Sequence, residues 1–552
     1  MSLDVRDADP APSSAGPLEP TLVADLVALA AVSDGARDAL VEASGRRLSW
    51  ADLEKEVGRT ATGLGEVGMV AGQRVLLVLG NRIELVTTYL GALRAQLVAV
   101  PVNPRAKTEE LAWMIADSGA RLVVADGATV AHARAAGVLV REALDGARDV
   151  LDDDVVGRAR EPRLVVVDAE PQDGELGFET LRAVPRPVTA RPDPETLACL
   201  LYTGSAADRP RAAMLTHRAL LANVEQAAAV RPVAGLAMIG PGDVVLGMLP
   251  LFHVYGLNAV LGGVLRHGAT LVLTDHIDAR GTLGVVAAHG VTVVPVAPAV
   301  FPHWLGLEGL AAAMASVRLV LSGSAPLARS VIEEFTALTG IPVHQGYGLT
   351  EAAPVVTSTL ASTEPVTGSL GASLPGVGLR LVDDHGLEPE PGDPGDIQVR
   401  GSNLFSGYWP DAADGPGADG WWSTGDVGLL DENGELFLVD RAAEVVVVAG
   451  FRVYPREVEA VIGRVPGVED AAVIGVPDDV TGNAVVAYLR VAGLDADDVA
   501  DAVRERCEAA LAGFKRPARI EVVDELPTTL AGRVRKGELR QLERRRALGI
   551  LE

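Results

Sequence analysis

Short valine-rich runs alternate with amphipathic stretches from about residue 23 to residue 440 of this 552-residue chain. RVLLVLG (74–80) is followed by the amphipathic RIELVTTYLGALRAQ (82–96) and then by VAVPVN (98–103). Runs of the same kind recur at 244–249, 270–274, 291–296 and 317–323. Apolar residues at consecutive positions indicate strands that are buried on both faces, as in parallel sheets covered by helices. We therefore predict a large α/β domain of mostly parallel sheets flanked by helices.

The segment LSWADLEKEVGRTATGLGEVG (48–68) predicts a helix with recognisable ends. Ser49 precedes the first turn, where its hydroxyl can accept a hydrogen bond from a free backbone N–H, and Gly68 follows the last turn. Residues 140–195 are instead acidic and rich in proline, and we interpret them as a connection on the surface.

Three regions are expected along the chain. Residues 1–22 begin with acids and prolines and predict a disordered lead, since a signal peptide would need a basic start and an apolar run. Residues 23–440 form the large N-terminal domain. Residues 441–552 alternate strand and helix patterns and predict a small C-terminal α+β domain, because a chain of this length exceeds the usual span of one core.

The charge balance argues against nucleic acid as a partner. Acidic residues number 74 against 48 lysines and arginines, so the net charge is −26 and phosphate is repelled over most of the surface. The apolar runs are shorter than the roughly 20 residues needed to cross a bilayer, and no membrane span is expected. Cys199 and Cys507 are too few for a disulfide framework and fit a reducing, cytoplasmic location.

The segment HQGYGLTEAAP (344–354) brings together groups suited to a nucleotide. Tyr347 lies between Gly346 and Gly348, where its ring can stack on a base. Thr350 and Glu351 follow, and a hydroxyl can bond a phosphate while a carboxylate can bind Mg²⁺ through oxygen. A GYG sequence alone is more often a turn, so that alternative stays open at this point.

Two further segments end in small or polar residues. LSGSAPL (321–327) opens after a predicted strand into Ser324, Ala325 and Pro326, which allow a flat ligand to approach closely. GWWSTGD supplies Asp426, which can accept hydrogen bonds from ribose hydroxyls, and Arg441 can donate to them. A TGD sequence alone is more often an ordinary loop.

Two apolar segments, LFHVYGLN (251–258) and VVPVAPAVFPHW (293–304), predict the walls of a hydrophobic pocket. His253 is either a residue of that wall or a satisfied histidine of the core. With Tyr255 and Trp304 in the same segments, a bulky hydrophobic or aromatic acid is favoured over acetate as the ligand.

Taken in chain order, these segments resemble the adenylate-forming superfamily of acyl-CoA synthetases, luciferases and peptide-synthetase adenylation domains. The resemblance runs from GRRLSWADL and PVNPRAKTEEL through LPLFHVYG, QGYGLTE and GWWSTGD to VDRAAEVVVVAGFRVYPREVE and FKRPARIEVVDELPTTLAGRVRKGELR. The last segments favour the acyl-CoA ligase branch. The resemblance implies that a carboxylate attacks the α-phosphate of ATP, giving acyl-adenylate and pyrophosphate. The small domain then rotates, and coenzyme A displaces AMP.

The same resemblance implies roles for single residues. Tyr347 stacks on adenine, Thr350 contacts the phosphate, and Glu351 binds Mg²⁺ if ATP is used. Asp426 and Arg441 hold the ribose of the AMP moiety.

Further positions are implied around the acyl group and coenzyme A. His253 guards the acyl pocket, and Gly450 lines the pantetheine tunnel. Asp440 and Ala443 mark a hinge near 440–443, where the family commonly has Asp or Lys at the position of Ala443.

The phosphate loop departs from the family pattern YTSGTTGKPKG, because the matching segment here is YTGSAADRPRA (202–212). Two threonine hydroxyls are replaced by Ala206 and Ala207. Asp208 replaces a glycine and sets a negative charge where the β- and γ-phosphates would lie. The candidate residues of this degenerate loop are Thr203, Gly204, Ser205, Ala206, Ala207, Asp208, Arg209 and Arg211.

A second departure is Arg533, which follows Gly532 where the family has the lysine that reaches the carboxylate and the α-phosphate. Arginine is wider and planar, so the exchange is not conservative there, and Lys536 lies three residues further on. A chain-wide replacement of lysine by arginine is an alternative explanation, since only four of the 48 basic residues are lysines. That replacement does not account for the changes at 206–208.

The residues implied for AMP and coenzyme A are retained, whereas those implied for ATP are altered. The pattern predicts an enzyme that forms an acyl-CoA thioester from an acyl-adenylate and coenzyme A, with weak or lost adenylation and a separate adenylating ligase as partner. In this it resembles the split acyl-CoA ligases of platensimycin and platencin diterpenoid biosynthesis. Two alternatives stay open, a complete ATP-dependent acyl-CoA synthetase and a pseudoenzyme that binds AMP or acyl-AMP.

Overall fold

The structure is a computed structural model that describes residues 20–146, 153–187, 192–203, 210–230, 237–275, 278–325, 327–383, 385–390, 393–441, 444–448, 451–478, 481–493, 495–528 and 534–547. Within these ranges the strands are β1 (Asp38–Glu42), β2 (Arg47–Ser49), β3 (Arg74–Val78), β4 (Val98–Pro101), β5 (Leu122–Asp126), β6 (Arg163–Val167), β7 (Leu176–Gly177), β8 (Leu197–Thr203), β9 (Arg211–Thr216), β10 (Val244–Gly247), β11 (Thr270–Leu273), β12 (Val293–Val296), β13 (Leu319–Ser322), β14 (Val343–Gly348), β15 (Val355–Ser358), β16 (Ala372–Ser373), β17 (Gly378–Val382), β18 (Gly395–Arg400), β19 (Trp422–Leu430), β20 (Leu436–Arg441), β21 (Val446–Val448), β22 (Phe451–Val453), β23 (Val468–Asp478), β24 (Gly482–Val491) and β25 (Arg519–Val522).

The α-helices in the same ranges are α1 (Asp25–Asp34), α2 (Trp50–Glu66), α3 (Ile83–Arg94), α4 (Thr108–Ser118), α5 (Val130–Leu144), α6 (Asp153–Arg158), α7 (His217–Ala228), α8 (Gly263–His267), α9 (Ala279–His289), α10 (Phe301–Leu305), α11 (Leu310–Ala313), α12 (Arg329–Thr339), α13 (Pro455–Ile462), α14 (Ala496–Ala510) and α15 (Lys536–Ala547). A π-helix spans Tyr255–Gly262, and a short 3₁₀ helix spans Thr350–Ala352.

Two large sheets organise the N-terminal part. Among the described residues, one has nine strands in the order β16-β15-β14-β13-β12-β10-β11-β1-β2, and the other has seven in the order β7-β6-β5-β3-β4-β8-β9. The interior pairs, such as β12 with β13 and β3 with β5, are parallel, while antiparallel pairs lie at the ends. The predicted class of mostly parallel sheets flanked by helices is confirmed.

The apolar run Val75–Val78 of strand β3 is explained by burial on both faces of the sheet. Val75 and Leu77 pack into one core, Leu76 and Val78 pack into another on the opposite face, and all four are almost completely buried. Successive side chains of a strand point to opposite faces. A strand covered on both faces therefore needs a continuous apolar run rather than an alternating one.

Helix α2 begins and ends as predicted. The Ser49 hydroxyl accepts a hydrogen bond from the backbone N–H of Asp52 at 3.1 Å. Gly68 follows the helix with a φ of +83°, a conformation that favours glycine. These local signals mark where the helix begins and ends, while its buried face packs against distant elements.

The interpretation of residues 140–195 as a surface connection is wrong in part. Residues 163–167 form β6, which pairs in parallel with β5, and its Val165 side chain is fully buried. Five residues are too few to stand out from the polar, proline-rich text around them. A sheet partner, and not the local sequence, determines that this run is a strand.

Smaller sheets follow the two large ones, one of them antiparallel throughout and one with a parallel pair between β24 and β25. Strands β17–β20 form a four-stranded antiparallel sheet, although only mostly parallel sheets were expected before residue 441. Strands β23, β24 and β25 form a three-stranded sheet that packs with α13, α14 and α15. A large N-terminal part with a small C-terminal α+β part agrees with the expected fold.

The packed chain starts slightly before residue 23. Residues 1–19 of the predicted lead lie outside the described residues, but Leu22 is buried and its backbone N–H donates to Asp25. None of the helices in the described ranges combines the length and hydropathy that a bilayer crossing requires.

His217, the first residue of α7, joins this N-terminal segment to the core. Its Nδ1 accepts a hydrogen bond from the backbone N–H of Val23 at 3.2 Å, and only 1% of the residue is exposed. Burial lowers the pKa of the imidazole from 6.5 to about 4. The folded protein therefore keeps His217 neutral at a pH where the unfolded chain binds a proton.

We expect the free energy of unfolding of His217→Gln to fall less than that of the wild type when the pH is lowered. Between pH 6.5 and about 4 the unfolded chain binds one proton more at this position, so the free energy of unfolding falls as the pH is lowered through that window, by up to about 3 kcal/mol. Urea unfolding of both proteins at pH 7.5 and pH 4.5 measures the difference. The exposed His385→Gln is the control, and equal pH dependence in wild type and His217→Gln would contradict the prediction.

Candidate active site

Tyr347 and Asp426 meet at the carboxyl end of the nine-stranded sheet. The Tyr347 hydroxyl donates to Asp426 Oδ2 at 2.8 Å, and both residues are buried. A β-carbon on Gly346 would lie 2.7 Å from the Thr357 carbonyl oxygen, and one on Gly348 would lie 2.4 Å from that of Pro354. The two glycines are thus required by the close return of the chain, and they hold the tyrosine between them.

Asp426 and Arg441 lie opposite each other on two antiparallel strands, β19 and β20. The backbone N–H of Asp426 donates to Thr424 Oγ1 at 3.1 Å, which fixes the turn that precedes it. The sequence separates the two residues by 15 positions, and the strand register places their backbones side by side.

Glu351 belongs to the Thr350–Ala352 turn and is held by a residue that the sequence analysis did not single out. The Tyr408 hydroxyl donates to Glu351 Oε1 at 2.6 Å, and Glu351 is 7% exposed. Burial and the neighbouring Glu351 carboxylate raise the pKa of Tyr408 well above its usual value, so the phenol stays protonated and remains a donor. Thr350, on the same turn, is half-buried.

The phosphate-loop segment forms a hairpin between β8 and β9, with Thr203 opposite Arg211 at its base. The Arg211 guanidinium lies 3.8 Å from the centre of the Tyr408 ring and pairs with Asp414 at 2.6 Å. Of the loop residues, Gly204, Ser205, Ala206, Ala207, Asp208 and Arg209 lie outside the described residues. Arg211 and Glu351 are therefore linked through one tyrosine.

Residues 405–409, which we name the strap, cover the outer edge of β9. Backbone bonds run from Met214 N–H to Gly407 O at 3.1 Å, from Ser406 N–H to Met214 O at 3.0 Å, and from Trp409 N–H to Ala212 O at 2.9 Å. Because these bonds use only the main chain, the stem of the hairpin does not depend on the side chains of its loop.

The segment with Ser324 and Ala325 turns sharply after β13. Ser324 has a φ of +76° and is exposed, and a positive φ is uncommon for a residue other than glycine. A β-carbon on Gly323 would lie 2.8 Å from Tyr255 Cε1, so the Tyr255 ring packs directly on this turn. Pro326 lies outside the described residues.

His253 precedes the π-helix that carries Tyr255. The residue is partly open to solvent, and its ring lies 4.6 Å from the Phe252 ring. The protein atoms crowded around it lower the pKa of His253, so the ring is neutral near pH 7. Trp304 is instead a core residue, fully buried with Phe301 at 6.2 Å.

Several predicted positions fall outside the described residues, namely Gly450, Arg533 and Ala443, and of Asp440 and Arg441 only the backbone is described. Lys536, the lysine that follows Arg533, is described. Its Nζ pairs with Glu444 at 3.0 Å and with Glu459 at 2.8 Å, and 9% of the side chain is exposed. The Lys536 ammonium group is therefore paired with carboxylates of the C-terminal part of the chain.

Comparison with known proteins identifies the family to which this chain belongs. The family model for "AMP-binding enzyme" matches residues 28–409, and the model for "AMP-binding enzyme C-terminal domain" matches residues 457–533. The chain belongs to the AMP-binding enzyme family.

Two relatives place this AMP-binding enzyme in the acyl-CoA ligase branch. It is 33% identical to a long-chain-fatty-acid–CoA ligase of Yersinia pestis, with 86% of each chain covered. It is 31% identical to 4-coumarate–CoA ligase 3 of Oryza sativa subsp. japonica, covering 92% of this chain and 89% of the relative. Among solved structures, ATP-bound MatB from Rhodopseudomonas palustris matches with a TM-score of 0.81 and 29% identity, covering 94% of this chain and 98% of the other.

The AMP-binding enzyme carries a donor set that fits Mg²⁺ only in part. In the described ranges, no group of three or more His, Cys, Asp or Glu side chains is arranged to hold a metal ion. Mg²⁺ is commonly bound by one or two carboxylates together with substrate phosphates. Glu351 therefore fits the role of a single protein ligand whose partners come from a nucleotide.

Proposed function

We propose that this AMP-binding enzyme forms an acyl-CoA thioester from a preformed acyl-adenylate and coenzyme A, with the ATP-dependent adenylation step weak or lost. The observation that carries the proposal is the sequence of the phosphate loop, where Ala206, Ala207 and Asp208 replace two hydroxyl donors and a glycine. Acyl-CoA ligases as a class use ATP, Mg²⁺ and coenzyme A through an acyl-AMP intermediate. The proposal therefore concerns which half of that reaction this chain performs.

The electrostatics of the loop favour this division. Removing one preorganised donor from a reacting phosphate or oxyanion can cost roughly 10² to 10³ in rate. Here two hydroxyls are missing, and the Asp208 carboxylate repels the β- and γ-phosphates. An acyl-adenylate has neither of these phosphates, so it avoids that repulsion.

The cations near the loop offer limited compensation. Arg211 is engaged by Asp414 and by the face of the Tyr408 ring. Lys536 is held between two carboxylates of the C-terminal part. Arg533 is then the cation proposed to approach the α-phosphate, and its planar guanidinium is a poor substitute for a point charge on a flexible stem.

The proposed AMP site uses the described residues at the sheet edge. Tyr347 stacks on the adenine, Thr350 contacts the α-phosphate, and Asp426 with Arg441 holds the ribose. Glu351 would coordinate Mg²⁺ only when ATP is bound, because the metal would then neutralise the charge of the phosphates. In the thioester step the thiol sulfur attacks the acyl carbonyl carbon, the C–O bond to AMP breaks, and the thiol proton passes to solvent.

The remaining assignments extend the same proposal. The boundary between the large and small domains lies near Asp440 and Ala443, which act as the hinge, and Gly450 keeps the pantetheine tunnel open. His253 and Tyr255 border the acyl pocket. The named relatives act on long-chain fatty acids and 4-coumarate, which supports a bulky hydrophobic or aromatic acyl group here.

The proposal also implies a cellular setting. A separate adenylating ligase would supply the acyl-adenylate, as in the platensimycin and platencin diterpenoid pathway, so a role in natural product biosynthesis is part of it. Cys199 and Cys507 are free and buried, which supports a reducing, cytoplasmic compartment.

The second candidate is a complete ATP-dependent acyl-CoA synthetase. It is favoured by the similarity to whole ligases and by the positive charge kept at Arg209, Arg211 and Arg533, if these arginines replace lysines in their full role. A binding protein without turnover, which recognises AMP or acyl-AMP, is a third outcome of the same test.

The decisive experiment compares the two half-reactions in one preparation. Acyl-CoA formation is measured from synthetic acyl-adenylates and, in parallel, from the matching acids with MgATP, together with pyrophosphate exchange. Turnover from acyl-adenylate without exchange supports the proposal. Robust exchange favours the complete synthetase, and failure to accelerate acyl-adenylate consumption favours the binding protein.

A further inference from the structure

Four buried carboxamides surround the turn that carries Glu351. They form a carboxamide cluster of Asn223, Gln226, Asn258 and Asn403, and none is more than 7% exposed. Buried polar side chains are costly unless they are hydrogen-bonded. Their concentration at one turn therefore needs an explanation in terms of what they hold.

The cluster forms hydrogen bonds with the backbone of three residues that follow Glu351, namely Ala352, Ala353 and Val355. Asn403 Nδ2 donates to Ala352 O at 2.7 Å, and Asn258 Nδ2 donates to Ala353 O at 2.7 Å. Asn223 donates to Val355 O at 2.8 Å and accepts from Val355 N–H at 3.0 Å. Gln226 joins the set through hydrogen bonds with Asn223 and Asn403.

The backbone that the cluster holds is strained, and its Ala352 and Ala353 have no polar side chains to define it. Ala353 has a φ of +62°, which is unfavourable for alanine. Residues held in such conformations persist only when their surroundings over-determine them, and they concentrate at functional sites. The carboxamide cluster supplies that determination and so places Thr350 and Glu351.

Asn258 differs from the other three because it stands on the helix that the proposed function assigns to the wall of the acyl pocket. It belongs to the π-helix Tyr255–Gly262, the element whose Tyr255 ring packs on Gly323. Its amide also donates to Leu220 O at 3.0 Å. A β-carbon on Gly262 would lie 2.9 Å from Asn258 Oδ1, so the glycine leaves the space that this side chain needs.

We propose that Asn258 is a positioning residue that couples the acyl pocket to the nucleotide turn. One buried amide bonds the turn after Glu351 while standing on the helix that borders the acyl group. Binding of an acyl group against this helix then strengthens the contacts to the nucleotide. Binding of the nucleotide strengthens the contacts to the acyl group by the same factor, because such coupling is reciprocal. The inference rests on the proposed function in two respects, namely that the site binds an acyl-adenylate and that the helix of Tyr255 borders its acyl group.

The test measures binding and not turnover. Affinities for AMP and for two non-hydrolysable mimics, benzoyl- and dodecanoyl-sulfamoyl adenosine, are measured by calorimetry for wild type, Asn258→Ala and Asn223→Ala. The acyl advantage is the ratio of the affinity for the better mimic to that for AMP. We expect Asn258→Ala to lower this ratio about tenfold. Asn223→Ala, which loosens the same turn but stands off the acyl helix, should weaken both ligands equally and leave the ratio within about twofold.

Each outcome has a defined meaning. An unchanged ratio in Asn258→Ala overturns the coupling, since a merely structural role weakens both ligands alike. If Asn258→Ala does not fold, Asn258→Ser, which keeps one donor, should lower the ratio about threefold, and an unchanged ratio there also overturns it. A wild type that binds neither mimic more tightly than AMP removes the acyl-adenylate site on which the coupling depends. Pyrophosphate exchange by wild type would contradict the proposed function without touching this result.

Discussion

The triple variant Ala206→Thr, Ala207→Thr, Asp208→Gly is expected to raise ATP-dependent acyl-CoA formation by about 10²-fold. Each restored donor can recover a sizeable part of the roughly 10² to 10³ in rate that such a group contributes at a reacting phosphate. Removing the carboxylate also ends its repulsion of the β- and γ-phosphates. Pyrophosphate exchange with the acid that the wild type uses as acyl-adenylate gives the direct measurement.

The same variant separates the loop from the rest of the site. Its rate of acyl-CoA formation from acyl-adenylate should stay within about threefold of wild type, because that substrate lacks the phosphates that the loop would hold. The control is Arg209→Lys with Arg211→Lys, which restores lysines but no hydroxyls and should leave exchange low. Tight MgATP binding by the wild type, or exchange already as fast as in the triple variant, would refute the assigned effect of Asp208.

Asp426→Asn is expected to lower kcat/KM for acyl-adenylate by about 10²-fold. A hydrogen bond to a charged acceptor contributes about 1.5–3 kcal/mol, and the proposed ribose contact offers two hydroxyls to one carboxylate. The effect should fall mainly on KM, because the ribose is bound alike in the ground state and in the transition state. Steady-state kinetics with varied acyl-adenylate at saturating coenzyme A measure it.

The control for Asp426→Asn is the same substitution at an aspartate outside the proposed nucleotide site. Asp431 caps the turn between β19 and β20, where its carboxylate accepts from the N–H groups of Asn433 and Glu435. Asp431→Asn should leave KM within about twofold of wild type. Equal effects of the two substitutions would mean that Asp426 serves the sheet and not the nucleotide.

The sequence alone predicted those parts of the fold that local patterns determine. The apolar run at 74–80 became β3, and the capping signals at Ser49 and Gly68 bound α2, because each depends on neighbours within a few residues. Strand β6 was missed because its short run depends on pairing with β5. The antiparallel sheet β17–β20 was missed for a related reason, since register across turns is not written in any one strand.

The candidate site divides in the same way. Tyr347, Glu351 and Asp426 were singled out because their motifs keep fixed local spacing. Tyr408 and Asn258 were not, since their partners lie 57 and 95 residues away along the chain. Tyr408 after a single glycine and Asn258 in an apolar helix do not indicate a functional role in the sequence until their contacts are known. Polar residues inside apolar text, such as Asn258, are the one clue that sequence reasoning can use.

The strap over β9 bears on how this chain could have changed. Its main-chain bonds to Ala212 and Met214 hold the hairpin stem whatever the loop side chains are. We therefore expect substitutions between Thr203 and Pro210 to leave the paired strands of the stem in place. The same independence leads us to expect that loop sequences from other members of the family can be exchanged into this chain while the hairpin stem keeps its main-chain bonds.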